Sequence, residues 1–178
     1  MRCAKKSGRF LLYNKEQLPT SMKGSDIKMK VILSADHAGV TIRNEVKKLL
    51  DDMEIDYEDT GCSCEASVDY PDYALPAAER VANGEFDYGI LICGTGIGMS
   101  IAANKVNGVR CALVHDVFSA KSTRQHNNAN ILAMGERVIG PGLAREIVKT
   151  FLETDFDGGR HERRVGKITT YEQQHKTV

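Results

Sequence analysis

The sequence lacks a charge excess of either sign, because its 24 basic residues balance its 24 acidic residues. A dedicated nucleic-acid binder normally carries a strong basic excess, so nucleic acid is not an expected partner. It also lacks any apolar run near the ~18 to 20 residues that a membrane span needs, which excludes an integral membrane protein. What remains is 178 residues with 42% hydrophobic and 27% charged composition, the profile of one soluble globular domain.

The five cysteines lack the spacing of a disulfide framework or a zinc site. Cys62 and Cys64 form a C-x-C pair, and no second ligand pair follows at zinc-site spacing. Cys3 lies near the N-terminus, and Cys111 falls inside a predicted strand. An odd count without a framework fits a reducing compartment. We therefore expect a cytoplasmic protein with no structural disulfide and no metal.

The neutral total conceals two oppositely charged parts. Residues 1–28 contain seven basic and two acidic residues, a net charge of +5, and residues 29–178 therefore carry −5. The first segment has no periodicity that indicates a core, and its apolar cluster at 10–13 is too short for a signal sequence. We expect residues 1–28 to be a disordered extension and the domain to begin at Met29.

From Met29 onward, short apolar runs alternate with segments of helical periodicity. The predicted strands are 30–34, 55–59, 86–93, 110–114 and 131–134. The predicted helices are 39–53, 71–81, 99–105, 117–126 and 142–152, followed by a polar tail with one short helical pattern. This alternation predicts an α/β protein with a doubly wound, Rossmann-like five-stranded parallel sheet and helices on both faces. Such folds bind ligands at the carboxyl ends of their strands.

The segment from Cys93 to Ser100 (CGTGIGMS) joins the strongest predicted strand to a helix. Its glycines can take positive φ, so its N–H groups can converge on an anion. The spacing is G-x-G-x-G rather than the dinucleotide fingerprint, and no P-loop lysine is present, so a nucleotide site is disfavoured. Cys93, at the mouth of this turn, is either a buried structural cysteine or a thiolate that acts as nucleophile or base.

Histidines and arginines give further candidates. His126 ends a predicted helix and is either a solvated cap or directed towards a strand-end site, whereas His161 and His175 are expected to be solvated. Arg137, Arg160 and Arg164 are either ordinary surface residues or a phosphate clamp, for which guanidinium geometry is suited.

Five motifs together resemble the type B ribose-5-phosphate isomerases, a family that includes the galactose-6-phosphate and allose-6-phosphate isomerases. The motifs are Ser34–Gly39, Asp69–Pro71, Cys93–Lys105, Ser122–Asn127 and Gly158–His161. The likeness runs from about Met29 to Gln174. It implies a doubly wound fold and interconversion of ribose 5-phosphate and ribulose 5-phosphate, without a metal or organic cofactor. It also implies a homodimer with shared active sites, in which the C-terminal stretch and His37 reach the partner chain.

The resemblance also assigns roles to residues. It implies that Cys93 is the base, that His126 opens the sugar ring, and that Thr95 and the amides of the turn stabilise the enediolate. The positions that match sugar-binding residues of the family are Asp36, His37, Asp69, Tyr70, Gly94, Gly96, Ile97, Gly98 and Asn127. The positions that match its phosphate ligands are Arg137, Arg160 and Arg164. A six-carbon sugar phosphate and a non-catalytic sugar-phosphate-binding domain remain alternatives.

Overall fold

A computed structural model describes residues 28–63 and 66–175 of the chain. The described part contains the parallel sheet that the sequence predicts, with five strands in the order β2-β1-β3-β5-β4. The strands are β1 (Lys30–Ala35), β2 (Asp56–Asp59), β3 (Tyr88–Cys93), β4 (Cys111–Leu113) and β5 (Ile131–Gly135). All four strand pairs are parallel.

Six helices accompany the sheet in the described residues. They are α1 (Val40–Asp52), α2 (Pro71–Ala82), α3 (Ile97–Ala103), α4 (Val117–Asn127), α5 (Pro141–Glu153) and α6 (Arg160–Gln174). Residues of α1, α4 and α5 pack in one buried cluster against one face of the sheet, and residues of α2 and α3 pack in a second cluster against the other. The fold is therefore doubly wound, as predicted.

The two cores form because successive side chains of a strand point to opposite faces of the sheet. Val31 and Leu33 of β1 face the α1/α5 side, whereas Ile32 between them faces the α2/α3 side. Successive side chains of a strand point to opposite faces, so a strand buried on both faces is apolar throughout. The continuous apolar run in β3 has this origin, which is why it gave the clearest strand signal.

The order of the strands fixes where a ligand can bind. The chain passes from β1 to β2 on one side and then returns to place β3 on the other side of β1. This reversal opens a crevice at the carboxyl ends of β1 and β3. Asp36 follows β1, and Cys93 is the last residue of β3. We call this end of the sheet the carboxyl edge, and the opposite end the amino edge.

Two elements differ from the sequence prediction. The strand predicted at 110–114 is the three-residue edge strand β4, beside which Asn104 uses its side chain to bond Cys111 in both directions, at 2.8 and 2.9 Å. The predicted short helical pattern in the C-terminal tail is the 15-residue helix α6. Its only buried residue is His161, and its larger apolar side chains, Ile168 and Tyr171, are exposed, so α6 contributes no apolar stripe to the core of its own chain.

The predicted N-terminal extension lies outside the described residues except for its last position. Lys28 is described, and its Nζ lies 3.1 Å from Oδ1 of Asp56. Cys3 and Cys64 also lie outside the described residues. No helix within the described ranges is both long and apolar enough to cross a bilayer.

Candidate active site

Cys93 is held at the carboxyl edge by the turn that follows it. Its side chain is 6% exposed, and the N–H of Gly96 donates to its Sγ over 3.0 Å. An N–H directed at sulfur fixes the position of the side chain, and a cysteine held in this way at a strand end can act as a base or nucleophile. Cys93 is therefore both buried and partnered by a polar group, so the two sequence interpretations are compatible.

Gly96 can be replaced by no other residue without strain. Its φ is +77°, in the left-handed region that side chains disfavour. A Cβ atom there would also lie 2.6 Å from Cδ1 of Leu113 and 2.8 Å from the carbonyl carbon of Met134. The turn is thus wedged between β4 and β5, and this close approach directs the Gly96 N–H at the Cys93 sulfur.

The remainder of the turn is flanked by a cation and an aromatic ring. The guanidinium of Arg137 packs on Gly94, where an added Cβ would lie 3.3 Å from the Nε and Cζ atoms of the arginine. The backbone N–H of Arg137 also donates to the backbone carbonyl of Gly94 over 3.0 Å. The ring of Tyr70 covers Gly98, at 2.8 to 3.0 Å from the position of a Cβ. The turn therefore lies open between a fixed positive charge and a phenol.

Two amides of the predicted anion cradle are engaged inside the turn. The Gly96 N–H donates to Cys93, and the Ile97 N–H approaches Oγ1 of Thr95 at 3.4 Å. The exposed Thr95 hydroxyl lies at the rim of the turn and is accessible to a ligand. The cradle differs in this respect from the set of five amides that the glycine spacing suggests.

Loops after β1 and before α2 complete this edge. The Asp36 carboxylate is buried and accepts the Ala38 N–H over 2.8 Å. Nδ1 of His37 accepts the Val68 N–H over 3.1 Å, so the proton of the neutral ring lies on Nε2. Asp69 is exposed beside Tyr70 at the start of α2. We call Asp36, His37, Tyr70, Cys93 and Arg137 the thiol half-site.

The second group of candidate residues lies at the amino edge. Helix α4 starts after β4 and runs back across the sheet, so His126 and Asn127 in its last turn lie where β5 begins. The Asn127 carbonyl accepts from Nε of Arg110, which precedes β4, over 3.1 Å. The same edge receives the connection from α5 to α6, because the Asp157 N–H donates to Gln125 O over 3.1 Å.

His161, which the sequence suggested to be solvated, is buried and 7% exposed. Its ring stacks on that of His126, with centroids 4.4 Å apart and an angle of 10° between the planes. Nε of Arg160 donates to Nε2 of His161 over 3.2 Å. Burial, and then repulsion by His126, Arg160 and Arg164, lower the pKa of His161, and Asp157 partly offsets this.

This second cluster suits an anion better than a metal ion. Ligand atoms of His126, Asp157 and His161 lie within 4.8 Å of one another, a donor set that a transition metal can use. However, Arg160 already donates to His161, and the charges of Arg160 and Arg164 act on the same ring. Two guanidinium groups beside two imidazoles are typical of phosphate recognition. We call His126, Asn127, Arg160, His161 and Arg164 the imidazole half-site.

One chain does not bring the two half-sites together. Cys93 ends β3 at the carboxyl edge, whereas His126 ends α4 at the amino edge, and a strand of this length spans roughly 17–20 Å. His126 therefore lies away from the carboxyl edge of its own chain, contrary to the interpretation that directs it towards a strand-end site there. His37, which the resemblance assigns to the partner, lies at the same edge as Cys93.

Of the residues that the sequence singled out, His161 is the one whose environment was missed. The signal was the Gly158–Gly159 pair before α6, both with positive φ (64° and 55°), which turns the chain sharply into the helix. His175 is exposed, as predicted, and Cys111 is buried. Burial raises the pKa of the Cys111 thiol to about 12.

Comparison with known proteins identifies relatives along almost the whole described chain. The sequence profile of the Ribose/Galactose Isomerase family matches residues 31–168. A Bacillus subtilis protein with the provisional name of a sugar phosphate isomerase is 67% identical over 82% of this chain and 99% of its own. A D-erythrulose-4-phosphate isomerase of Pectobacterium atrosepticum is 42% identical over 83% of this chain and 98% of its own. The structure of ribose-5-phosphate isomerase B from Clostridium thermocellum is 48% identical in sequence and superposes with a TM-score of 0.81. The match covers 83% of this chain and 100% of the Clostridium chain.

Proposed function

Because the chain belongs to the ribose/galactose isomerase family, we propose that it interconverts D-ribose 5-phosphate and D-ribulose 5-phosphate through an enediolate. The observation that carries the proposal is the thiol of Cys93, held at the end of β3 by the Gly96 amide. A base is needed to remove a carbon-bound proton, and a binding protein would need none. The relatives support a sugar-phosphate isomerase, and ribose 5-phosphate is the substrate that we propose.

The active site is formed by two chains. The thiol half-site contains the base but only one of the three candidate phosphate-binding arginines, and the imidazole half-site contains the other two. In a twofold symmetric dimer, each half-site of one chain meets the other half-site of its partner, so two identical sites form. Large apolar side chains near the carboxyl edge are exposed, including 80% of Phe118 and 50% of Ile97. Exposed apolar groups of this kind are typical of a protein–protein interface.

The reaction begins with ring opening, because ribose 5-phosphate is mostly a closed furanose. A proton leaves the hydroxyl on C1, the bond from C1 to the ring oxygen breaks, and a proton is delivered to that oxygen. His126 carries this proton because an imidazole exchanges protons readily near neutral pH. Asn127, beside it at the end of α4, binds a sugar hydroxyl.

The isomerisation follows in the open chain. The Cys93 thiolate takes the proton from C2 and returns it to C1, while the hydroxyl proton moves between the oxygens of C1 and C2. The negative charge of the enediolate lies on these oxygens. The backbone N–H groups of the turn from Gly94 to Gly98 that are not engaged inside it, and the Thr95 hydroxyl, stabilise this charge, and one such donor contributes about a hundredfold or more in rate.

Binding of the dianionic phosphate relies on local positive charge, since residues 29–178 are acidic as a whole. Arg160 and Arg164 on the first turns of α6 supply two guanidinium groups, and His161 adds a ring that can take up a proton when the phosphate arrives. Arg137 of the other chain approaches from the thiol half-site. Asp36, His37, Asp69 and Tyr70 contact the sugar hydroxyls and ring.

The test is steady-state kinetics of the wild-type protein and of Cys93→Ala and Cys111→Ala. We expect ribose 5-phosphate turnover by the wild type, its abolition in Cys93→Ala with fold and dimer intact, and near-normal turnover in Cys111→Ala. The Cys111 control removes a thiol of the same core whose pKa of about 12 keeps it protonated. Near-wild-type turnover by Cys93→Ala would contradict the role of the thiol.

The relative named for D-erythrulose 4-phosphate supports a second candidate substrate. The same base and turn would serve a four-carbon sugar phosphate, and a six-carbon aldose phosphate would need only a longer sugar pocket. Kinetics with erythrose 4-phosphate and allose 6-phosphate beside ribose 5-phosphate separate these cases. If kcat/KM is higher for erythrose 4-phosphate or for allose 6-phosphate than for ribose 5-phosphate, that sugar phosphate is the preferred substrate, and the mechanism is unchanged.

A further inference from the structure

Arg124 is a buried cation two residues before His126, and the proposed mechanism does not use it. It is 5% exposed, and its guanidinium lies over the rings of Tyr88, at 4.8 Å from the centroid, and Phe151, at 5.6 Å. Its hydrogen bonds within the described residues all go to neutral oxygens. No carboxylate there bonds to it, although the nearby charge of Asp155 acts to raise its pKa, and a buried charge without a hydrogen-bonded counter-ion is uncommon.

Four neutral acceptors surround the guanidinium, and they belong to three separate parts of the fold. They are Oδ1 of Asn128 at 2.9 Å, the carbonyl of Ala129 at 2.6 Å, the hydroxyl of Tyr88 at 2.9 Å and the carbonyl of Thr154 at 3.3 Å. Asn128 and Ala129 form the turn after α4, Tyr88 begins β3, and Thr154 follows α5. A planar fork of five donors can bridge such a set, whereas a lysine ammonium cannot.

The acceptors flank the imidazole half-site on both sides. Asn128 ends α4 in the left-handed conformation, with φ of 48°, directly after His126 and Asn127. Thr154 begins the connection to α6, which carries Arg160 and His161. One guanidinium therefore fixes the distance between the helix end that carries His126 and the segment that carries its stacking partner.

The free-energy cost of this arrangement argues against a purely structural role. Burial lowers the pKa of Arg124, which reflects the cost of keeping its charge away from water. Replacing buried charged groups by apolar residues of similar volume is often neutral or stabilising. An apolar side chain such as methionine would avoid that cost, but it would bridge none of the four oxygens.

We propose that Arg124 is a positioning residue that holds the imidazole half-site in register for catalysis, through the geometry of its fork rather than through its charge. This inference rests on the proposed function for its kinetic consequence, but its structural consequence can be measured without substrate. Loss of the fork lets the end of α4 and the start of α6 move apart, so the His126–His161 stack loosens.

The experiment compares Arg124→Met and Arg124→Lys with the wild type, with Arg145→Met as the matched control. Arg145 also bridges elements, from α5 to Asp52 at 2.8 Å, but at the surface and away from both half-sites. The kinetic readout is kcat for ribose 5-phosphate. The substrate-free readout is the pKa of His161, followed by NMR of its ring protons.

We expect both Arg124 variants to fold and dimerise, with kcat lowered about ten- to a hundredfold, the range that small misplacements of catalytic groups cost. The His161 pKa should rise towards the ordinary ~6.5 as the stack with His126 loosens, while Arg160, Arg164 and Asp157 still face the ring. Lysine should not rescue either readout, and Arg145→Met should change neither.

Wild-type kcat and an unchanged His161 pKa in Arg124→Met would overturn the proposal. Rescue by lysine would also overturn it, because charge alone would then suffice. If Arg124→Met does not fold, the same two outcomes in Arg124→Lys decide the question. A wild-type protein without isomerase activity would refute the proposed function instead, and the NMR readout would then decide the positioning role by itself.

Discussion

The ring of His126, at the end of α4, stacks on the ring of His161, in the first turn of α6, with the centroids 4.4 Å apart. The two residues are 35 positions apart in sequence and are joined through α5 and its connections. The pair links the proposed ring-opening group to the proposed phosphate ligands. Any change that moves α6 should therefore affect sugar chemistry as well as phosphate binding.

The lowered pKa of His161 predicts a dependence of stability on pH. In the folded protein the ring stays neutral at pH values where the unfolded chain, with a pKa of about 6.5, already binds a proton. The unfolded state then holds more protons, so the free energy of unfolding falls as the pH falls through about 6.5. Urea denaturation at pH 7.5 and 5.5, at fixed protomer concentration, should show a smaller loss in His161→Gln than in the wild type.

The control for this prediction is His175→Gln, because His175 is exposed at the end of α6. This variant should keep the pH dependence of the wild type. An identical loss of stability in the wild type and His161→Gln would show that another group is responsible.

Replacing His126 by alanine should affect ring-closed and open-chain substrates differently. Erythrose 4-phosphate cannot form a furanose, because its C4 oxygen carries the phosphate, whereas ribose 5-phosphate must be opened. We expect His126→Ala to reduce kcat for ribose 5-phosphate by about a hundredfold or more, consistent with general acid–base catalysis, and that for erythrose 4-phosphate much less. Progress curves at increasing enzyme concentration provide a second measurement.

With His126→Ala, the rate on ribose 5-phosphate should become independent of enzyme concentration once spontaneous ring opening limits it. A rate that stays proportional to enzyme, together with equal losses on both sugars, would remove the ring-opening role.

The turn after Cys93 offers a matched pair of glycine substitutions. Gly96 and Gly108 have similar positive φ values, +77° and +85°, but an added Cβ would meet other atoms only at Gly96, with Cδ1 of Leu113 at 2.6 Å. Gly108→Ala should lose roughly 1–2 kcal/mol for the left-handed backbone. Gly96→Ala should lose roughly 1–3 kcal/mol more from overpacking. Denaturation curves measure both.

Only Gly96→Ala should also lower kcat, because displacing its N–H removes the hydrogen bond to the Cys93 sulfur. Equal stability and equal kcat in the two alanine variants would contradict the wedged geometry of the turn.

The sequence was sufficient to predict most of the sheet and one half of the candidate site. The apolar run of β3 and the glycines after Cys93 are local signals, and the parallel sheet follows from the alternation of elements. The stack on His161 could not be predicted, because α6 buries no apolar stripe and depends on contacts with α4 rather than on its own periodicity. The fork of Arg124 was likewise hidden, since its four acceptors become neighbours only in the folded chain.

The separation of Cys93 from His126 has the same origin. Each was recognised from its local motif, but the edge of the sheet at which a motif lies depends on whether it follows a strand or precedes one. Cys93 follows β3, and His126 precedes β5. The spacing of the motifs does not show at which edge of the sheet each residue lies, whereas the order of strands and helices does.

The central claim is that each active site combines Cys93 of one chain with His126 of the other, and a mixing experiment tests it most directly. Cys93→Ala and His126→Ala proteins, each with little activity, are unfolded together and refolded as an equal mixture. In a heterodimer one site receives both mutations and the other neither, so about a quarter of wild-type activity towards ribose 5-phosphate should return. If both residues acted within one chain, every site would keep one mutation, and no activity above that of the separate variants would return.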